Sequence, residues 1–491
     1  MKKLYRFSAI ALLVLPLVFT SCSDYLDRDD DDNITEADVF ARYEKVNGLV
    51  SDVYAAAKKA DRPLVFFEHF SNSAITDECE GTNVEGNITN NFNNGAWNPN
   101  SLPGSVGQYW EALYEGIRKA NLIIENVQKY NTPDNPQQDG DLRNRIGEMY
   151  FMRGYFHMLL LRMYGEAPYI DRVINAGDNM DFKKESVHSM VEKIVTDAQT
   201  AYGMVPNKYV KTSENFGRVD KGACLGLISF VRWVAATPLW NGASQYGYNL
   251  RRVFENEYAY DATRWRKAKE AAKAVLDFEV GGTKRYSLYT KHDANDFKDP
   301  ADGNLNDSRV YARLWDMFYD MDAFANEYVF FMTKSKDQAW QGDIYPPSRE
   351  GSSRQQPVQE QVDEYEYIVG DCGYPVYSAE ARKGGYDDTN PYVKGTRDPR
   401  FYRDVIYHGA PYRNNKNESK TINTASGSDK IGATNATTTG YYLRKFQQES
   451  WNKSGNFSIN APAIWRLPEF IYIYAEACNE LGEDIDEAYK L

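Results

Sequence analysis

The sequence has few of the residues on which most catalytic and metal sites depend. It contains five histidines and five cysteines in 491 residues. None of these side chains has zinc-ligand spacing with another, and no CxxC pair occurs. A P-loop, a dinucleotide fingerprint and a G-x-S-x-G nucleophile turn are also absent. No local signature of an enzyme remains. Because the 70 acidic residues offer many carboxylate pairs, a surface glycoside hydrolase stays open as a minor alternative.

Basic residues are also in deficit. The chain has 57 lysines and arginines against 70 acidic residues, which gives a formal net charge of −13. A protein that neutralises phosphates needs a basic face, so nucleic acid is excluded as the main ligand. Aromatic residues, in contrast, are abundant at 14%, with 37 tyrosines and 9 tryptophans. Since not all of these amphipathic rings fit in a core, we expect some to face a ligand or partner.

Long apolar runs are missing as well. The longest, Phe7–Phe19, has 13 residues and follows a basic start. As a helix it would span about 20 Å, short of the ~30 Å hydrocarbon thickness of a bilayer. Residues 1–21 therefore have the character of a signal peptide that is removed, and we predict no membrane-spanning helix in the remainder.

Cys22 stands directly after this segment. Thr20 and Ser21 precede it, and the arrangement resembles a bacterial lipobox, in which the cysteine is lipidated and becomes the new N-terminus. Several acyl chains on one residue anchor a protein stably to a membrane. The alternative is an ordinary secretory signal with an incidental cysteine.

The residues that follow Cys22 are strongly acidic. Asp27, Asp29 and Asp31 alternate like the start of a calcium loop, but Asp32 stands where such a loop needs glycine for its turn. We predict that residues 22–35 form a solvated tether.

Apolar residues then recur at helical spacing over much of the chain. Thr35 is a candidate N-cap for the first helix, and the helix at 146–164 is apolar nearly all round, which predicts burial between neighbours. His157 on that helix is expected to be a hydrogen-bonded core residue. Helices are predicted at 36–60, 107–130, 146–164, 186–203, 219–236, 263–278 and 463–481. Alanine-rich faces resemble the packing of tetratricopeptide helix pairs, although no 34-residue period is present.

The helices are interrupted by irregular regions. We predict one domain over residues 36–491, with a helical scaffold at about 36–60, 107–280 and 448–491 and loop-rich regions at about 61–106 and 281–447. Within these regions Glu327–Thr333 reads as a strand, and residues 424–440 read as a mobile surface loop. Long loops on a rigid scaffold usually carry binding.

Aromatic side chains within these loops are the candidate ligand-binding residues. We select Trp97, Trp340 and Tyr345, because flat rings stack on the apolar faces of sugars while neighbouring polar groups bind the hydroxyls. The alternative is that each ring pins its loop to the helices. Trp110 and Trp465 lie on helical stripes and are expected in the core.

Two further features leave alternatives open. Cys79, Cys224, Cys372 and Cys478 are far apart in sequence, and a disulfide between some pair is neither required nor excluded. Asp302, Asn304 and Asn306 offer oxygen ligands for calcium but match no known loop spacing. Apart from lipid on Cys22, no cofactor or metal is predicted.

Eight segments in order resemble one family. They are YWEALYEGIRKANLII (109–124), GEMYFMRGYFHMLLLRMYGEAPYI (147–170), GRVDKGACLGLISF (217–230), WRKAKEAAKAVLD (265–277), PVQEQVDEYEYIVGDCGYP (357–375), TRDPRFYRDVIYHGAPY (396–412), GYYLRKF (440–446) and WRLPEFIYIYAEACNELG (465–482). Behind a lipobox, this series resembles the SusD/RagB-type outer-membrane lipoproteins of Bacteroidetes from Cys22 to Leu491.

This resemblance implies a mainly α fold of four tetratricopeptide-like helix pairs with a loop-rich, ligand-binding face. It also implies a cell-surface lipoprotein that binds oligosaccharide and delivers it to a SusC-like TonB-dependent transporter, without bond chemistry. Ser23 and Asp24 resemble the export signal of surface lipoproteins in these bacteria. Capture of peptides or glycoproteins by the same fold remains an alternative.

Two details qualify the resemblance. Arg397, Asp398 and Arg400 around Pro399 read as a rigid structural turn. The chain stops at Leu491 within a helical pattern, where members of the family usually continue, so we expect a fragment of a longer protein.

Overall fold

The structure is a computed structural model of the chain. It describes residues 35–60, 72–82, 88–96, 104–130, 136–209, 214–242, 254–290, 317–318, 320–332, 342–393, 396–413, 419–447 and 463–491. Cys22, Trp97, Trp340 and the candidate calcium ligands Asp302, Asn304 and Asn306 lie outside these ranges.

Helices dominate the described part of the chain. They are α1 Glu36–Phe40, α2 Tyr43–Ala60, α3 Ile88–Asn93, α4 Gly104–Tyr130, α5 Pro136–Tyr164, α6 Val187–Met204, α7 Lys221–Ala236, α8 Ala262–Leu276, α9 Met321–Asn326, α10 Gln359–Asp363, α11 Ala379–Lys383, α12 Pro399–Asp404, α13 Leu467–Leu481 and α14 Ile485–Ala488. The long helices pack mainly on their neighbours in sequence, from α4 through α8, with α2 against α4 and α13 against α8. This arrangement confirms the predicted mainly α, tetratricopeptide-like class.

Strands are short and occur in antiparallel pairs. They are β1 Cys79–Gly81, β2 Glu279–Val280, β3 Thr283–Lys284, β4 Tyr328–Phe331, β5 Gln355–Pro357, β6 Tyr367–Val369, β7 Cys372–Tyr374, β8 Val405–Ile406, β9 Pro411–Arg413, β10 Ser419–Thr421, β11 Tyr442–Leu443 and β12 Ala463–Arg466. The pairs are β1–β5, β2–β3, β4–β12, β6–β7, β8–β11 and β9–β10. The described part of the region predicted to be rich in loops therefore contains short strand pairs, some between neighbouring strands and some between strands far apart in sequence.

Helix α5 lies at the centre of the main core. Its middle, from Phe151 to Leu161, is buried on all sides, as its uniformly apolar sequence predicts. Arg153 is buried there and donates to both carboxylate oxygens of Asp197 on α6, at 2.7 and 2.5 Å. It also donates to Asn121 Oδ1 on α4 at 2.9 Å. One guanidinium thus joins three helices, because a buried charge must be paired.

His157 is a core histidine, as predicted. Its Nδ1 lies 2.8 Å from the Arg153 carbonyl oxygen, and its Nε2 accepts from the Ile170 amide at 3.0 Å. The proton is therefore on Nδ1. Complete burial lowers the pKa of His157 to about 3.

Two boundaries differ from the sequence-based predictions. Thr35 caps α1 with a capping box to Asp38, but the helix predicted over 36–60 breaks after Phe40, whose side chain is buried. Residues 463–466 form strand β12, and α13 begins only at Leu467. Pro468 explains the difference, since proline fits the first turn of a helix and disrupts its interior.

Trp465 consequently reaches the core from a strand. It is 2% exposed and packs edge-on against Tyr155 of α5, at 5.9 Å between ring centroids. The prediction of a core residue was right, and the prediction of a helix there was wrong.

Two other expectations are resolved. Cys79, Cys224, Cys372 and Cys478 are all free thiols, so no disulfide joins any of them. The segment at 424–440 is not a simple surface loop, because Asp429, Ala436 and Thr437 within it are buried. Among the described residues, no helix combines the length and the apolar character needed to cross a membrane.

The close approach of α4 to α5 gives a first prediction. A Cβ added at Gly116 would lie 2.5 Å from the Phe156 ring, whereas Gly107 on the same helix has open space around it. Gly116→Ala should lower the free energy of unfolding by about 1–3 kcal/mol through overpacking. Gly107→Ala should raise it by up to about 1 kcal/mol through helix propensity. Urea unfolding of both variants measures this, and an equal response would contradict the packing described.

His157 gives a second prediction. Its folded pKa is about 3, below the ~6.5 of an exposed histidine, so below pH 6.5 only the unfolded chain gains this proton. The free energy of unfolding should fall as pH drops from 7 to 5, by up to about 1.4 kcal/mol per pH unit for this residue. His157→Gln retains a donor and an acceptor and should flatten that slope. His188, whose pKa is lowered to about 4 by burial, contributes in both proteins. Identical slopes in urea unfolding would contradict the assignment.

Candidate functional site

The two loop-rich regions meet at one strand pair. Strand β1 belongs to the first region and β5 to the second, and they pair from Cys79–Pro357 to Gly81–Gln355. The Thr82 amide extends the ladder by donating to the Arg354 carbonyl at 2.7 Å. Segments separated by more than 270 residues in sequence are thus held in register by backbone hydrogen bonds.

Gln356 lies at the centre of this crossing and is fully buried. Its Nε2 donates to the Ser353 carbonyl at 2.6 Å and to Thr82 Oγ1 at 3.0 Å. Its Oε1 accepts from both the amide and the hydroxyl of Thr438, each at 3.0 Å. The side-chain amide therefore ties together three chain segments, and its removal would take away the acceptor of the Thr438 amide.

A second apolar cluster supports the crossing from the side of β5. Its buried members are Ile344, Tyr345, Ile406, Ala410, Tyr412, Ile422 and Tyr442. Tyr345 packs edge-on against Tyr412, with ring centroids 5.9 Å apart. Gly351 folds back on this residue so closely that a Cβ would lie 2.0 Å from the Tyr345 carbonyl oxygen, so only glycine fits there.

Of the three predicted ligand-binding residues, the structure describes Tyr345. Tyr345 is 2% exposed, so its ring is covered by protein, as the pinning alternative describes. Trp97 directly follows residues 88–96, whose helix α3 packs on β1 and on the 3₁₀ turn Asn72–Ile75. Trp340 lies shortly before Ile344 and Tyr345. Both tryptophans lie outside the described residues, close in sequence to segments attached to the same crossing, and their contact with ligand stays a prediction.

The titratable groups next to the crossing are fully or partly buried. Burial raises the pKa of the Cys79 thiol to about 12, which keeps it protonated and non-nucleophilic at neutral pH. Burial likewise raises the pKa of Glu80. Within the described ranges, no group of three or more histidine, cysteine or acidic side chains is arranged to hold a metal ion.

The turn around Pro399 is structural, as predicted. Arg397 is 2% exposed and donates to the Tyr365 carbonyl at 2.8 Å and to the Val362 carbonyl. Asp398 caps α12 by accepting from the Arg400 amide at 2.8 Å. The Arg397 guanidinium donates its hydrogen bonds to backbone carbonyl oxygens. It therefore fixes the loop between α10 and α12.

Sequence reasoning missed Gln356, Thr82 and Thr438. Their local sequences carry no periodicity or motif, and their importance comes only from long-range pairing. The Asn-, Gly- and Thr-rich composition that marked the loops gave no signal of which residues would meet.

Two family profiles match this chain. One, described as "Starch-binding associating with outer membrane", matches residues 24–231. The other, described as the SusD family, matches residues 322–491. A curated relative, SusD-like protein P2 of Formosa agariphila, is 24% identical over 202 residues. That match covers 40% of this chain and 38% of the relative, so it spans well under half of that protein's length.

Solved structures share the fold. A SusD-like protein from Bacteroides fragilis superposes with a TM-score of 0.70 at 19% identity, covering 93% of this chain and 79% of that one. A SusD-like carbohydrate-binding protein from the same species gives a TM-score of 0.65 at 14% identity, covering 91% and 75%. At these identities the similarity establishes the architecture.

The crossing gives a third prediction. Gln356→Leu keeps a similar volume but removes the hydrogen bonds of the amide, including the acceptor of the Thr438 amide, which should lower the free energy of unfolding by about 2–4 kcal/mol. Gln361→Leu serves as the control, since this half-buried residue on α10 takes no part in the network. Urea unfolding followed by tryptophan fluorescence measures both, and equal stability of the two variants would show that the crossing does not depend on Gln356.

Proposed function

The chain belongs to the SusD/RagB family, and we propose that it is a cell-surface lipoprotein that binds oligosaccharide and delivers it to a SusC-like TonB-dependent transporter. The description of one matching family profile names starch binding and association with the outer membrane. A structural relative is called a carbohydrate-binding protein. Both support the proposal for this chain.

The observation that carries the proposal is the β1–β5 crossing. This strand pair joins a segment that precedes Trp97 in sequence to a segment that follows Trp340. If this strand pair positions the two rings, they would present flat apolar faces to a sugar without a large loss of loop entropy on binding. The Asn- and Thr-rich sequence around them would supply hydrogen bonds to the hydroxyls.

The anchor in this proposal is Cys22. The basic start, the short apolar segment and the small residues before Cys22 favour lipidation at this position. The acidic residues up to 35 would then separate the domain from the membrane surface. A TonB-dependent transporter in the same membrane would receive the bound glycan.

Binding without hydrolysis is part of the proposal. The buried thiol of Cys79 and the core position of His157 leave these groups in structural roles. Incubation of pure protein with candidate glycans tests this. Saturable binding with recovery of the intact glycan supports a binding protein, and release of reducing ends would support the hydrolase alternative instead.

The site gives a fourth prediction. Trp97→Ala and Trp340→Ala should each weaken glycan affinity at least about tenfold, which corresponds to ~1.4 kcal/mol, without loss of helical circular dichroism. Calorimetric titration with a glycan chosen from an array measures this change. Tyr472→Ala is the control, because Tyr472 is an aromatic residue on α13 that is 72% exposed and remote in sequence from both loops.

Two results would count against the proposed site. Unchanged affinity in both tryptophan variants would show that the ligand binds elsewhere. An equal loss of affinity in Tyr472→Ala would show that the effect is not specific to the loops.

A further inference from the structure

A polar cleft opens on the scaffold beside helix α2. Its volume is about 180 Å³. It is lined by residues from α2, from the segment before α7 and from the end of β4. The lining residues are Ser51, Tyr54, Lys58, Glu214, Phe216, Gly217, Arg218 and Met332. We call this space the α2 cleft.

A buried carboxylate lies behind two residues of the cleft lining, Tyr54 and Arg218, and accepts hydrogen bonds from both. Glu148 on α5 is 0% exposed. Its Oε1 accepts from Arg145 at 2.6 Å and from Tyr209 at 2.7 Å. Its Oε2 accepts from Tyr54 at 3.0 Å and from Arg218 at 2.8 Å. Four donors saturate the two oxygens, so this carboxylate has no capacity for another partner.

The guanidinium groups around Glu148 carry more positive charge than this one carboxylate neutralises. One carboxylate, Glu148, faces two guanidinium groups, those of Arg145 and Arg218. Arg218 uses three of its five N–H donors on Glu148, on Asn47 Oδ1 at 3.3 Å and on the Glu214 carbonyl at 3.0 Å. Two donors of Arg218 therefore remain for a ligand.

Lys58 adds a second positive charge on the wall. It lies in the last turn of α2, is partly buried, and makes no ion pair with any residue in the described part of the chain. Burial lowers its pKa, which is the response of an ammonium group without a compensating carboxylate. Glu214, the acidic residue of the lining, is exposed, and its recorded contact with Arg218 is made by its backbone carbonyl.

The remaining wall is partly apolar. Phe216 and Met332 also line the cleft, so a compact ligand would meet carbon as well as cations. In a chain of net charge −13, such an excess of positive charge in a recess is a local feature that attracts anions.

We propose that the α2 cleft binds a single anionic oxygen group, a carboxylate or a sulfate, on a compact ligand of about monosaccharide size. Lys58 and the two remaining N–H donors of Arg218 would bind the anion, and Phe216 would contact its carbon skeleton. This proposal does not depend on the proposed delivery of glycan to a transporter.

Calorimetric titration of the full chain with glucuronate, inorganic sulfate and glucose tests the proposal. Glucuronate differs from glucose by the carboxylate, so binding of glucuronate but not of glucose identifies the charge as the recognised feature. Affinity for the anion should fall as salt is raised. Binding of glucuronate alone would assign a carboxylate ligand, and binding of sulfate alone would assign a sulfated one.

Lys58→Gln removes the charge of the wall without touching the buried cluster. It should weaken anion binding about tenfold, the loss expected for one charge-assisted hydrogen bond. Lys45→Gln on the same helix makes the same charge change outside the cleft lining and should leave affinity within about twofold.

Three results would overturn the proposal. They are no detectable binding of either anion at about 10 mM, equal binding of glucose and glucuronate, and equal effects of the two lysine variants. Since neither anion is an oligosaccharide, failure here leaves the tryptophan test of the loops unaffected.

Discussion

The burial of charged groups on helix α5 is the constraint on which the rest of the structure depends. The middle of this helix is surrounded by protein, so Glu148 and Arg153 are buried. Each is paired with groups on other elements: Tyr54 and Arg218 donate to Glu148, and Arg153 donates to Asp197. Removing one partner from such a cluster leaves a buried charge uncompensated, at a cost of about 3–5 kcal/mol. The positions of the neighbouring helices are therefore fixed by specific polar contacts as well as by apolar packing.

The scaffold set in this way supports the long loops. Strands β4 and β12 place Trp465 in the core beside Tyr155 of α5, which joins the second loop region to the helices. The β1–β5 crossing then joins the first loop region to the second. Loops of this length would lose much entropy on binding a ligand if they were attached only at their ends. Attachment at an internal strand pair reduces that loss for the residues near the crossing.

The helical scaffold was largely predictable from the sequence, and the frame of the site was not. Periodic apolar residues predicted the long helices. The apolar character of 146–164 predicted that this helix is buried between its neighbours. Both signals are local in the sequence. Pro468 indicates the first turn of a helix, but the apolar pattern around Trp465 led to a predicted helix that began at 463. Gln356, Thr82 and Thr438 could not be found, since their roles arise from contacts between segments far apart in sequence. Tyr345 was selected for its position in a loop, and its burial depends on the fit of Gly351 against it.

The central claim is that both loop regions form one glycan-binding face through their shared crossing. Hydrogen–deuterium exchange on the full chain, with and without a bound oligosaccharide, tests this most directly. The account predicts that ligand slows exchange in both loop regions together, in residues 72–106 and in residues 333–357. Protection confined to one of these segments, or to the helical scaffold alone, would contradict it.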